Sequence, residues 1–129
     1  GSMTPDELSY TSDHEWVRLN ESGNAVFGIT FFAQDSLGDI VYVSLPAVGD
    51  ELIAGTSCGE VESTKSVSDL FAPIDGTVIS VNSELEANPE LVNSSPYSQG
   101  WLVEVEPGIP QQIDELLSSI DYNALINQA

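Results

Sequence analysis

Alternation of apolar and polar positions runs through most of this chain and predicts short strands closed by tight turns. Residues 14–19 (HEWVRL) alternate, 20–24 (NESGN) are turn formers, and 25–29 (AVFGI) resume the apolar run, which together reads as a hairpin. Thr30 can cap a short helix over 31–37, with Gly38 where a left-handed C-terminal residue is wanted. Residues 40–45 (IVYVSL) form the strongest strand pattern and stop at Pro46. A turn over 48–50 then leads into 51–54, and Gly55 opens the next turn. From 58 to 62, Cys58, Glu60 and Glu62 alternate with Gly59 and Val61. Residues 63–66 (STKS) suit a turn, and the apolar run resumes from Val67 until Pro73. Further strands are expected over 77–81 and 101–106. Between them, Asn88 caps a short helix with Pro89 in its first position, and 93–96 form a polar turn.

The period changes near the C-terminus. Ile113, Leu116, Leu117 and Ile120 fall at i, i+3, i+4 and i+7, the stripe of a helix packed on a sheet, and Asp121 can cap a second short turn with Tyr122, Leu125 and Ile126 inward. The outcome is a mostly β domain with short helices and a C-terminal helical tail. Two turn-plus-strand units, near 48–50 and 74–76, bracket the 58–72 hairpin and hint at two quasi-equivalent halves of a small sandwich.

Composition narrows the function. The 129 residues hold 21 Asp and Glu against 2 Lys and Arg, a formal charge of −19, with 41% hydrophobic residues, enough for a core. Such a surface argues against nucleic acid and against anionic membranes, calls for partners with basic patches, and favours a monomer through self-repulsion. Cys58 stands alone, so no internal disulfide is available. No run is long enough to span a membrane, and no leader is evident. Gly1 and Ser2 before Met3 read as a cleavage scar of recombinant expression, leaving 4–129 as a single domain and a bacterial cytoplasmic location as the expectation.

The chemistry converges on one amine. Lys65 is the only lysine, and the turn formers around it place it at a hairpin tip where another protein can reach it. An ε-amine on a flexible stem is the group to which acyl cofactors are attached by an amide bond. No zinc-type cluster, phosphate loop or paired nucleophile and base is present, so the domain is read as having no catalytic residues and no metal.

Residues 59–78 (GEVESTKSVSDLFAPIDGTV) closely resemble the lipoyl-attachment segment of glycine cleavage system H proteins. Segments 14–17, 26–30, 33–41, 45–46, 48–50, 91–97 and 100–102 are similar to other recurring segments of that family and occur in the same order, so the likeness runs from about Tyr10 to the C-terminal helix. Biotin domains usually flank the lysine with methionine, where this chain has Thr64 and Ser66. Lipoyl domains of 2-oxoacid dehydrogenases usually place Asp before it and follow Pro/Ala-rich linkers, which this chain lacks.

The resemblance implies a lipoyl/biotinyl-type barrel-sandwich hybrid, two small antiparallel sheets with appended helices, in which Lys65 carries lipoate in amide linkage. It implies a carrier rather than an enzyme. A pyridoxal-phosphate glycine decarboxylase (P protein) loads the aminomethyl group on to the lipoyl sulfur, an aminomethyltransferase (T protein) passes the one-carbon unit to tetrahydrofolate, and dihydrolipoamide dehydrogenase (L protein) reoxidises the dithiol. Lipoate ligase or octanoyltransferase with lipoyl synthase would install the group. The family parks its loaded arm beside positions that match Asp13, His14, Glu15 and Asp69 here. The alternatives are an H-like protein relaying lipoyl groups to 2-oxoacid dehydrogenases and an unmodified interaction domain.

Overall fold

The 14–29 hairpin is the backbone of the larger sheet in the computed structural model, which describes residues 3–127. Strand β1 is Ser9–Tyr10, β2 is Glu15–Leu19 and β3 is Ala25–Ile29; β2 and β3 run antiparallel with Leu19 opposite Ala25 and Glu15 opposite Ile29. Alternation sends Val17, Ala25, Phe27 and Ile29 into the main core and Trp16 and Val26 to the opposite face. That second face is not left to solvent, as a half-buried strand would be. It packs beneath the C-terminal segment, so β3 is buried along its whole length. Gly28 makes this possible, because a Cβ there would lie 2.9 Å from Trp16 Nε1. The indole N–H donates to the Pro96 carbonyl at 3.0 Å.

The chain continues through α1 (Phe31–Leu37), β4 (Ile40–Ser44), β5 (Glu51–Leu52), β6 (Ser57–Ser63), β7 (Val67–Phe71), β8 (Gly76–Val81), α2 (Leu91–Ser94), β9 (Val103–Pro107), α3 (Gln111–Asp114) and α4 (Ser119–Ile126). Six strands form one antiparallel sheet in the order β1-β2-β3-β9-β8-β5, and three form another in the order β4-β6-β7. Phe27, Val61, Leu70, Ile74, Val78 and Val105 form the core that joins strands of both sheets. The architecture is mostly β, as the alternation requires. The two turn-plus-strand units around 48–50 and 74–76 lie side by side in the large sheet, with Glu51 opposite Thr77 and Leu52 opposite Gly76.

Four local expectations change, the first being Leu125, which is 37% exposed rather than inward because its face of the last helix meets no neighbouring core residue among those described. The 113–120 stripe is not one helix: Leu117 trades two backbone hydrogen bonds with Tyr10, at 2.8 and 2.7 Å. That pairing satisfies the edge of β1, and it divides the helical tail into α3 and α4 and leaves Ile120 77% exposed. The cap of α4 is Ser118, whose Oγ accepts the Asp121 N–H at 3.1 Å, rather than Asp121 itself. Asn88 caps nothing, since its amide donates to Glu84 at 3.5 Å. Helix α2 begins two residues past Pro89, and a 3-10 turn over Ser83–Glu86, capped by Asn82, occupies the approach to it. Gly1 and Ser2, the proposed scar, lie outside the described residues.

Candidate functional site

The lysine hairpin is β6 and β7, paired with Glu62 opposite Val67, and Lys65 stands exposed at its tip. Ser63 holds the turn. Its Oγ accepts the N–H of Lys65 and that of Ser66, both at 3.1 Å, and its own backbone N–H donates to the Ser66 carbonyl at 2.8 Å. The neighbouring Thr64 N–H donates to the Asp39 carbonyl at 3.0 Å, which pins the tip to the end of α1. Ser63 is buried while Lys65 is not, so the serine is the fixed floor of a presented amine. We expect Ser63→Ala to cost about 1 kcal/mol and to speed amide hydrogen exchange at Lys65 and Ser66, measured by urea unfolding and by NMR.

The stem of Lys65 crosses Gly38. A Cβ on Gly38 would lie 3.0 Å from Lys65 Cε, and its φ of 89° with ψ of −159° is a conformation reserved for glycine. Asn93 braces the same corner: its Oδ1 accepts the Ile40 N–H at 2.9 Å, and its Nδ2 donates to the Gly38 carbonyl and to Gln34 Oε1, each at 2.9 Å. Gly38→Ala should cost about 1–3 kcal/mol from backbone strain alone, seen as a lowered denaturant midpoint. The flexible lysine can move aside, so the strain dominates.

Helix α1 links that corner to a cleft of about 250 Å³. Its lining mixes apolar residues, Ile29, Phe32, Ala33, Leu37 and Val61, with polar ones, Asp13, His14, Glu15, Ser36, Ser68 and Asp69; Glu15 lies opposite Ile29 and Ser68 opposite Val61 in the strand pairings. All four residues expected to receive the arm therefore meet in one cavity, although 54 positions separate Glu15 from Asp69 in the chain. Lys65 is not part of its lining.

The carboxylates there are not equivalent. Asp13 and Asp69 are exposed, whereas Glu15 is 2% exposed at the start of β2 and accepts the Thr11 hydroxyl at 2.6 Å. Burial pushes the Glu15 carboxyl up from 4.5 to about 8; the Thr11 hydrogen bond opposes the rise and Asp13 adds to it. His14 sits at φ 70°, the left-handed region, and burial lowers its pKa against the pull of Asp13. Burial likewise pushes the Cys58 thiol up to about 11, with Glu15 adding to the shift, so this cysteine behaves as a small strand residue. Among the described residues no cluster of His, Cys, Asp or Glu could hold a metal ion. No helix there is long and apolar enough to cross a membrane.

Pattern reading finds Lys65 and Gly38 but not what surrounds them. Ser63 carries a local signal, a serine two positions before the presented residue in a turn. Thr11 carries one too, since its hydroxyl partners Asp13 and Glu15 lie within four residues, whereas Asn93 and Tyr122 carry none, because their side-chain partners lie 53 or more positions away.

Comparison with known proteins gives a consistent picture. The model of the family described as "Glycine cleavage H-protein" matches residues 8–129. A glycine cleavage system H protein of Geobacillus kaustophilus is 52% identical over 125 residues, covering 97% of this chain and 98% of its own. One from Carboxydothermus hydrogenoformans is 49% identical over 128 residues, covering 98% and 97%. The crystal structure of a glycine cleavage system H protein from Mycobacterium marinum superposes with a TM-score of 0.87 at 42% identity, covering 95% of this chain and 98% of that one.

Proposed function

Because the chain belongs to the glycine cleavage H-protein family, we propose that Lys65 is the residue that bears lipoate and that the α1 cleft receives the loaded arm. The protein is a lipoyl carrier of glycine cleavage, a component that presents a group to enzymes rather than an enzyme itself. The observation that carries the site assignment is the joint placement of an exposed lone lysine on a tip pinned just past α1 and a cleft along α1 lined by both apolar residues and carboxylates.

The residues fit the group. The apolar part of the lining, Ile29, Phe32, Ala33, Leu37 and Val61, suits an acyl chain with a sulfur ring. The carboxylates in the lining, Asp13, Glu15 and Asp69, suit an ammonium at its end. When attached, lipoate supplies a reducible disulfide whose sulfur can hold a one-carbon amine. The chain's own residues do the rest. Ser63 and Asp39 hold the tip still, so a ligase meets one arrangement of the amine. Asp13 and Asp69 attract a cationic cargo, and its arrival favours ionisation of Glu15, whose charge is costly while the cleft holds no cation.

Enzymes that take turns on one arm must dock weakly and release, and the tether keeps the cargo at high effective concentration during each encounter. The outer face beside Lys65 is suited to such contacts. Tyr42, Glu62 and Val67 form one exposed row across the three-stranded sheet, with Glu60 and Asp69 in the next. Decarboxylase, aminomethyltransferase, dihydrolipoamide dehydrogenase and the lipoate-attaching enzymes would each bring basic side chains to it.

The test is the intact mass of the chain after incubation with a lipoate ligase, ATP and lipoate. One lipoyl-sized gain is expected. No gain, while a control carrier is modified alongside, would overturn the assignment.

A further inference from the structure

We infer that Tyr122, on the C-terminal helix α4, is a positioning residue for the cleft: its hydroxyl fixes the tautomer and seat of His14, and through His14 how firmly the cleft keeps a charged arm. This rests on the carrier reading above.

His14 is the only non-glycine residue with positive φ among the described residues, and something must hold it there. Its backbone is tied at both ends, the N–H to the Thr11 carbonyl at 3.2 Å and the carbonyl to the Thr30 N–H at 3.0 Å. Its ring is tied by Tyr122. His14 Nδ1 lies 2.8 Å from the Tyr122 hydroxyl, which lies 2.7 Å from Thr30 Oγ1. Tyr122 is fully buried and stacks on Tyr10 with ring centroids 4.8 Å apart and planes 9° from parallel. On its other side the His14 ring meets Phe32 of α1 at 4.9 Å.

The direction of this chain of hydrogen bonds follows from Thr30. Its Oγ1 already accepts the Ala33 N–H as the cap of α1, and it is fully buried, so its own proton needs an acceptor. The Tyr122 oxygen is that acceptor. The tyrosine proton then goes to His14 Nδ1, which leaves the ring neutral with its proton on Nε2. The reverse direction would strand the Thr30 proton.

The consequence lies in the cleft, where His14 stands between Asp13 and Glu15 in the chain and lines the same cavity. An imidazolium there would compete with a cationic cargo for those carboxylates. A ring held neutral and in place by Tyr122 leaves them to the cargo. The C-terminal helix thus reaches the functional site through one hydroxyl.

Tyr122→Phe keeps the stacked ring and removes only that hydroxyl. His14 is the one histidine of the chain, so 15N labelling of histidine reports it without assignment. In the lipoyl-loaded parent we expect the Nε2–H tautomer, with ring signals that move when a glycine decarboxylase charges the arm. In lipoyl-loaded Tyr122→Phe we expect averaged tautomers and a loss of cargo to water, read as ammonia and formaldehyde released, that is roughly fivefold faster, about the worth of one hydrogen bond. Should that variant not fold, the lipoyl-loaded parent decides: an Nδ1–H, averaged or charged His14 ring there overturns the inference, since the hydrogen-bond chain from Thr30 requires the Nε2–H tautomer. A parent-like tautomer in Tyr122→Phe, or an unchanged loss rate in the folded variant, overturns the inference alone. A parent that gains no lipoyl mass overturns the carrier assignment and this inference with it.

Discussion

Lys65→Arg should fold as the parent does and gain no lipoyl mass under conditions that fully modify the parent. The stem of Lys65 rests on Gly38 and its backbone N–H is held by Ser63, but its head group is exposed at the tip, so nothing in the core depends on an amine there. Arginine keeps the charge, the length and the backbone bonds. What it lacks is a nucleophilic amine, because its guanidinium stays protonated and cannot form the amide. The effect is all or none, since no second lysine exists to take the group. Intact mass spectrometry with thermal unfolding of both proteins decides it: equal melting with a mass gain confined to the parent is the expected pair. A lipoyl gain on Lys65→Arg would place the attachment at another group and remove the functional assignment of the hairpin.

Glu15→Gln should stabilise the protein at alkaline pH and weaken its hold on a cationic cargo. The folded carboxyl sits at about 8 against an ordinary 4.5, so the proton is bound more tightly in the folded state than in the unfolded one. The stability this carboxyl supports is therefore fully present below pH 4.5, declines through the window between 4.5 and 8, and is gone above it. A shift of that size corresponds to up to about 4 kcal/mol at pH 8. Glutamine is isosteric, keeps an oxygen to accept the Thr11 hydroxyl, and never ionises. Urea unfolding at pH 5 and pH 8 should show the two proteins alike at the lower pH and the variant clearly more stable at the higher. A parallel fall in cargo retention would show that the buried charge is tolerated for the cleft, a cost in stability kept for function. Equal pH slopes for parent and variant would mean that Glu15 is already ionised in the folded state.

The 14–29 hairpin, the strand from Ile40, the lysine hairpin and the Thr30 to Gly38 helix are all legible in the linear pattern. In each, the signals lie within a few residues of one another: alternation, a turn-forming cluster, a cap, a glycine where φ is positive. The same locality placed Lys65 at a tip. It misled at 113–120, where four apolar residues at helical spacing look like one stripe, because the open edge of β1 claims Leu117 and no local signal reports an unpaired edge a hundred residues away.

The cleft shows the division most clearly. Residue types alone single out Lys65, and likeness to known sequences adds Asp13, His14, Glu15 and Asp69. Nothing in their order distinguishes the buried Glu15 from the exposed Asp13 two positions earlier, yet one shifts to about 8 and the other stays in water. That difference comes from desolvation, which depends on how many atoms of other elements surround a group. The left-handed His14, its tie to Tyr122 108 positions away and the bracing of Gly38 by Asn93 have the same origin. Covalent chemistry and short-range geometry belong to the chain's order, whereas burial, and with it charge state and the fit of the cleft, exists only once the two sheets and the C-terminal helix have closed around these residues.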